Sequence, residues 1–297
     1  MATNPAVPED PRTALVTGAT SGIGRAIAER LAAAGLTVVL VARDGARGEA
    51  ARQEIATTTG NDRISVVLGD LADMTSVRRL ALEIERAHPK LDILVNCAGV
   101  YTPKRTVTVD GFETMFATNL LGPFLLTNLV RPQLQAAGSA RVLVISAPSG
   151  TKLDFDDLQG ERRFRSLTNF GASKAADLLF TFEFARRLDG TSVTANAIHP
   201  GLVRTSLMNG APALIRWAVW PFSGSPESAA KTIVPLALDP DFADRSGQFF
   251  HHAKAIDPPK STRDPDVARR LWDVAAELTG FEESDEQSCR ERVSDTV

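Results

Sequence analysis

Two short runs carry residue types whose spacing could do chemistry. The first, Thr17-Gly18-Ala19-Thr20-Ser21-Gly22-Ile23-Gly24, sets its glycines in a Gly-x3-Gly-x-Gly pattern. Gly18 permits a tight turn, Gly22 lets backbone approach a phosphate, and Gly24 lets a helix pack close on a strand. Free N–H groups at a helix N-terminus after such a turn suit a pyrophosphate. Three glycines alone are also ordinary turn chemistry, so the flanking elements decide. The second run is Phe170-Gly171-Ala172-Ser173-Lys174, with its lysine near the start of a helical pattern. Other polar residues offer less. His88, His199, His251 and His252 show no metal spacing with cysteines or carboxylates, so no metal site is expected. Cys97 reads as a small buried residue, and Arg162-Arg163-Phe164-Arg165 as a solvated loop.

The elements that must position these runs alternate. Strands are predicted at Thr13–Thr17, Thr37–Val41, Ile64–Leu68, Asp92–Asn96, Arg141–Ser146, Val193–Ile198 and Gly247–Phe250. Helices are predicted at Gly22–Ala34, Ala46–Thr58, Thr75–His88, Gly111–Ala137, Phe170–Leu188 and Pro226–Leu238. Near-continuous apolar strands such as Val38–Val41 suit a sheet buried on both faces. Strand–helix alternation then implies right-handed βαβ units. The expected fold is α/β, a Rossmann-type doubly wound parallel sheet with helices on both faces. Residues 12–281 form one domain with a lid segment at about 205–226, between flexible tails at 1–11 and 282–297. A formal net charge of −3 shows no basic field for nucleic acid. No apolar run reaches the roughly 18 residues of a membrane span. Two cysteines, Cys97 and Cys289, fit a reducing cytoplasm better than a disulfide framework.

In this order of elements the glycine loop joins the first strand to the first helix, which is where a dinucleotide pyrophosphate binds. The second strand ends Val41-Ala42-Arg43-Asp44. An acid at this point would hold ribose hydroxyls, whereas Arg43 can clamp an extra phosphate with its planar fork. The alternative is a solvated Arg43 paired with Asp44. The expected cofactor is NADP(H).

Several motifs in order resemble the short-chain dehydrogenase/reductase family over about residues 12 to 250. Thr17–Gly24 is similar to its TGxxxGIG, Asp70-Leu71 to its adenine-side pair, and Asn96-Cys97-Ala98-Gly99 to its NNAG. Asn119 falls where the family has a helix-borne active-site Asn, and His199-Pro200-Gly201 resembles the PG that lines the nicotinamide. Asp110–Glu113, Asp154–Leu158, Leu179–Leu188 and Val193–Thr205 look like the retinol-dehydrogenase-like branch. The resemblance implies cofactor contacts from Gly18, Thr20, Ser21, Gly22, Ile23, Arg43, Asp70, Leu71, Asn96, Ala98, Gly99, Lys174, Pro200, Gly201, Val203 and Thr205. It implies catalytic roles for Asn119 and Lys174.

The family pattern breaks at the proton. Its Tyr-x-x-x-Lys signature donates from the phenol, but here Phe170 stands at that position with Lys174 intact. The serine that polarises the carbonyl is replaced by Ala147, in Ile145-Ser146-Ala147-Pro148-Ser149. A positioned acid contributes about 10² to 10⁴-fold. Three substitutes are open: a substrate hydroxyl beside the carbonyl, a water held by Asn119 and Lys174, or a side chain such as Tyr101 or Ser149. A hydroxylated aromatic ketone carries its own phenol, and the lid segment holds Met208, Trp217, Trp220 and Phe222, an apolar cover for a flat ring system. Those side chains equally suit packing on the sheet or a subunit contact. The favoured reading is an NADPH-dependent ketoreductase on a bulky aromatic polyketide-type ketone, analogous to angucyclinone-type antibiotic-pathway enzymes. Its substrate pocket draws on Tyr101, Ser149, Phe170, Met208 and Trp217. Rivals are a non-catalytic NADP(H)-binding regulator and an isomerase or dehydratase on the same fold. A homo-oligomer is possible on the family pattern, without a decisive apolar stripe here.

Overall fold

A computed structural model describes residues 11–204 and 223–282. Thr205, Met208, Trp217, nearly all of the expected lid, and both tails except for one or two residues lie outside them. Eight strands form one sheet in the order β3-β2-β1-β4-β5-β6-β7-β8. In chain order they are β1 (Thr13–Thr17), β2 (Thr37–Ala42), β3 (Ile64–Leu68), β4 (Ile93–Asn96), β5 (Ala140–Ile145), β6 (Val193–His199), β7 (Phe249–His251) and β8 (Lys254–Ile256). All neighbours pair in parallel except β7 and β8. The apolar runs explain this: Val38, Val39, Leu40 and Val41 are all buried, so β2 needs cover on both faces.

The helices supply that cover. On one face pack α1 (Gly22–Ala33), α2 (Gly45–Thr59) and, late in the chain, α8 (Pro226–Leu238). The other face holds α3 (Met74–Ala87), α5 (Gly122–Leu129) and α7 (Ser166–Arg187). Side-chain caps start several of them: Asp44, Asp73 and Ser225 accept from backbone N–H groups in the first turns of α2, α3 and α8. Because β2 and β4 lie on opposite sides of β1, the strand order reverses there. A crevice opens at the carboxyl ends, bounded by the loops after β1 and β4.

Three differences from the sequence reading have physical causes. The single helix expected over Gly111–Ala137 is broken into α4 (Thr114–Phe116), a π turn at Ala117–Leu121, α5 and α6 (Arg131–Ala136). Pro123 and Pro132 lack the N–H that a continuous helix would use, so the ladder widens or restarts near each. The strand β8 was missed because it is three exposed residues, joined to β7 by a two-residue turn in which His252 and Ala253 take positive φ. The helix α9 (Pro265–Thr279) was also missed, although Asp264-Pro265 and Gly280 are good start and stop signals.

That last helix docks on α7 through aromatics. Trp272 is buried, edge-on to Phe124 at 4.9 Å, stacked near Phe180 and Phe184, and covered by the Arg187 guanidinium at 4.2 Å. Trp272→Ala should therefore lower the unfolding free energy by about 3–5 kcal/mol, measured by urea denaturation. A loss below about 1 kcal/mol would show that α9 is not part of the cooperative core.

Candidate active site

The crevice is a cleft of about 700 Å³. Its floor begins at the glycine loop. Gly18 sits at φ +67°, and a Cβ there would come within 2.9 Å of the Ala98 backbone, so only glycine allows the β1 and β4 loops to touch. A Cβ on Gly24 would collide with the Gly18 carbonyl, which is the close helix–strand approach expected of it. Thr17, which the sequence reading did not assign a contact, ties the two loops together. Its hydroxyl accepts from Cys97 N (3.0 Å) and Ala98 N (3.1 Å) and donates to Val95 O (3.3 Å).

Most of the predicted contact residues meet here. Gly18, Thr20, Ser21, Gly22, Ile23, Arg43, Asp70, Leu71, Ala98, Gly99, Lys174, Pro200, Gly201 and Val203 all line the cleft, and so do Ala147 and Phe170. Asn96 does not: its side chain points into the protein and donates to Thr127 Oγ1 at 2.8 Å, bracing β4 against α5. Asn119, on the π turn, is also turned from the lining. Its Oδ1 accepts from Val100 N (2.8 Å), and its Nδ2 donates to Val100 O (3.1 Å) and Ser173 Oγ (2.9 Å). It stays close to the lining all the same. A Cβ placed on Gly99 would lie 3.5 Å from Asn119 Oδ1 and 3.8 Å from Lys174 Nζ.

Neither side chain offered as a replacement acid lines the described cleft. Tyr101 donates to Ser166 Oγ at 3.0 Å, with its ring edge-on to Phe170 at 5.6 Å. Ser149 donates to Thr151 Oγ1 at 3.1 Å, beside Gly171. At the end of the cleft beside β2, Asp44 caps α2, its Oδ1 accepting from Arg47 N at 2.9 Å. Arg47, not singled out from the sequence, lines the cleft beside Arg43. Its position one turn along from Arg43, at the start of a helix, was the available signal.

The buried groups near the cleft set its electrostatics. Burial pushes the Cys97 thiol up to about 12, so it stays protonated. Burial, then the neighbouring His251 and His252, holds His199 down at about 4. Its ring stacks on His251 at 4.7 Å and is neutral at physiological pH. Between about 6.5 and 4 the unfolded chain takes up a proton that the folded chain refuses. The stability His199 permits is thus present above 6.5 and lost as the pH falls toward 4. His199→Asn should remove that contribution, so the variant should gain on the wild type as the pH drops, read as melting temperature against pH. Parallel curves would contradict it.

With fold and cleft in place, the relatives agree. The short chain dehydrogenase family model matches residues 12–213. Retinol dehydrogenase 14 of Mus musculus is 38% identical over 288 residues, covering 91% of this chain and 86% of that protein. Retinol dehydrogenase 13 of Homo sapiens is 39% identical over 282 residues, covering 91% and 85%. Among solved structures, an uncharacterised protein from Mycobacterium paratuberculosis superposes with a TM-score of 0.74 at 31% identity, covering 92% and 97%. The Pseudomonas aeruginosa RhlG/NADP active-site complex does so at 0.67 and 26%, covering 84% and 97%. The chain belongs to the short-chain dehydrogenase/reductase family, a family of oxidoreductases that bind a nicotinamide cofactor. The cleft fits that group: a glycine loop at a helix N-terminus, open backbone at Gly99 and Gly201, and a lysine in the wall. No described helix is long and apolar enough to cross a membrane. No group of potential ligands for a metal forms among the described residues.

Proposed function

We propose that this protein is an NADPH-dependent reductase of a bulky aromatic ketone of polyketide type, and that a hydroxyl on the substrate, or a water, supplies the proton. The observation that carries this reading is the wall beside Lys174. Phe170 and Ala147 line it, and the chain's one tyrosine, Tyr101, packs edge-on to Phe170 off the described lining, its hydroxyl donating to Ser166. Phe cannot release a proton and Ala cannot polarise a carbonyl. The same two side chains make an apolar surface suited to a flat ring.

When bound, NADPH would supply a hydride to the carbonyl carbon. The glycine loop and the N-terminus of α1 would hold the pyrophosphate, and Arg43 with Arg47 the 2′-phosphate. Lys174 would bind the nicotinamide ribose through its ammonium. Asn119 would shape the turn that keeps Val100 and Ser173 in register. The names of the retinol dehydrogenases point to a bulky apolar alcohol or aldehyde in those proteins, which agrees with an apolar substrate here.

The test is incubation with NADPH and a panel of hydroxylated aromatic ketones, with retinal as a hydroxyl-free comparison, following cofactor absorbance and product mass. Reduction of hydroxylated ketones in preference to retinal supports the reading. NADPH binding without consumption on any carbonyl, or isomerisation of a substrate at constant NADPH, would count against it.

A further inference from the structure

The buried carboxylate of Asp177 has no part in the chemistry above, yet it sits one turn beyond Lys174 on the same face of α7. Asp177 is 3% exposed and Lys174 8%. Lys174 Nζ donates to Asp177 Oδ2 at 2.8 Å and to Ile145 O at 3.5 Å. An ammonium has three N–H donors, so two are committed inward, to the helix and to the end of β5. The third is left for the cleft that Lys174 lines. Phe170, which precedes Lys174 by one turn, offers the ammonium only a distant ring face: Nζ lies over the ring, 5.9 Å from its centroid.

We propose that Asp177 is the positioning residue of this site: it keeps the buried Lys174 charged and directs its remaining N–H toward the ribose of a bound nicotinamide dinucleotide. This rests on the cofactor reading given above. The physical need is plain. A buried lysine without a counter-charge loses its proton at far lower pH than a solvated one, and a neutral amine is a weak donor. The phenol that family resemblance would place near this lysine is absent, so Asp177 is the counter-charge. The other groups packed around the pair do not replace it. The end of β5 contributes the Ser146 hydroxyl, which donates to Lys174 O at 2.9 Å. The end of β4 contributes the protonated Cys97 thiol. His199, at the end of β6, interacts with His251 and His252. Burial raises Asp177 to about 6, while Lys174 draws it back. The carboxylate is therefore ionised at neutral pH and the pair is intact there.

Two readouts test this in the full chain. In the cofactor-free protein, the ¹⁵Nζ resonance of Lys174 is followed from pH 5 to 11 by NMR. Wild type should show an inflection near 6 as Asp177 gains its proton. Asp177→Asn should lose that inflection and move the loss of the Lys174 proton at least about one pH unit lower. NADPH affinity, by fluorescence, should then fall about ten-fold in Asp177→Asn at pH 8, with Asp177→Glu recovering part of it. The same fall with NADH separates the effect from titration of the 2′-phosphate, whose own pKa is about 6. A Lys174 resonance that is flat near 6 in wild type overturns the proposal even if no variant folds. So does an Asp177→Asn protein that binds NADPH as wild type does across the range, which leaves the cofactor reading standing. A wild type that binds neither dinucleotide overturns both together.

Discussion

Arg43→Ala should weaken NADPH binding about 10- to 100-fold while leaving NADH within about three-fold, the span a charge-assisted hydrogen bond commands. Ala42 cannot accept from ribose hydroxyls, and the neighbouring acid, Asp44, is committed to capping α2. Asp44 lines the cleft with one oxygen held by that cap, whereas two guanidinium groups, Arg43 and Arg47, line the same end. Both are exposed, so their pull on a dianionic phosphate is screened by salt. The NADPH preference should accordingly shrink between low and high ionic strength, and the Arg43→Ala, Arg47→Ala double variant should abolish it. Direct titration with each dinucleotide measures this. An Arg43→Ala protein with an unchanged NADPH-to-NADH ratio would remove the basis for the assignment.

Methylating the phenol next to the reacting carbonyl should reduce turnover about 10² to 10⁴-fold, the usual contribution of a positioned proton donor. Phe170 and Ala147 leave no acidic hydroxyl in the described wall, and Tyr101 is engaged by Ser166. The methyl ether keeps the ring system and removes only the proton, so a loss in kcat with little change in KM is the expected signature. Unchanged turnover would assign the donor to water or to a side chain. The companion variant is Phe170→Tyr, for which only a small gain is expected. A new phenol would face an ammonium whose charge is already matched by Asp177 at 2.8 Å, so little remains to acidify it. A large gain from Phe170→Tyr by itself would mean the site is still built for a phenol.

Most of the parallel strands were legible because they are short β-branched runs whose burial follows from their composition: β1 and β3 agree with their predicted limits to the residue. The glycine loop was legible because steric demand at a turn admits only one residue type. Asn96 and Asn119 lie off the described lining for a common reason. A motif records that an amide is needed, but either face of a strand or turn can use it, here Thr127 on one side and Val100 with Ser173 on the other.

By itself the sequence determined the order of the first seven strands, the glycine loop after β1, the basic end of β2, and the lack of a phenol and a hydroxyl at Phe170 and Ala147. Those are matters of residue type and local spacing. Only the tertiary structure decided that Lys174 turns inward to Asp177, that Arg47 joins Arg43, and that α9 seals α7 with Trp272. Hydrogen-bond direction, desolvation and the docking of a distant helix depend on which atoms meet in space, and a one-dimensional pattern carries the candidates for those meetings without choosing among them.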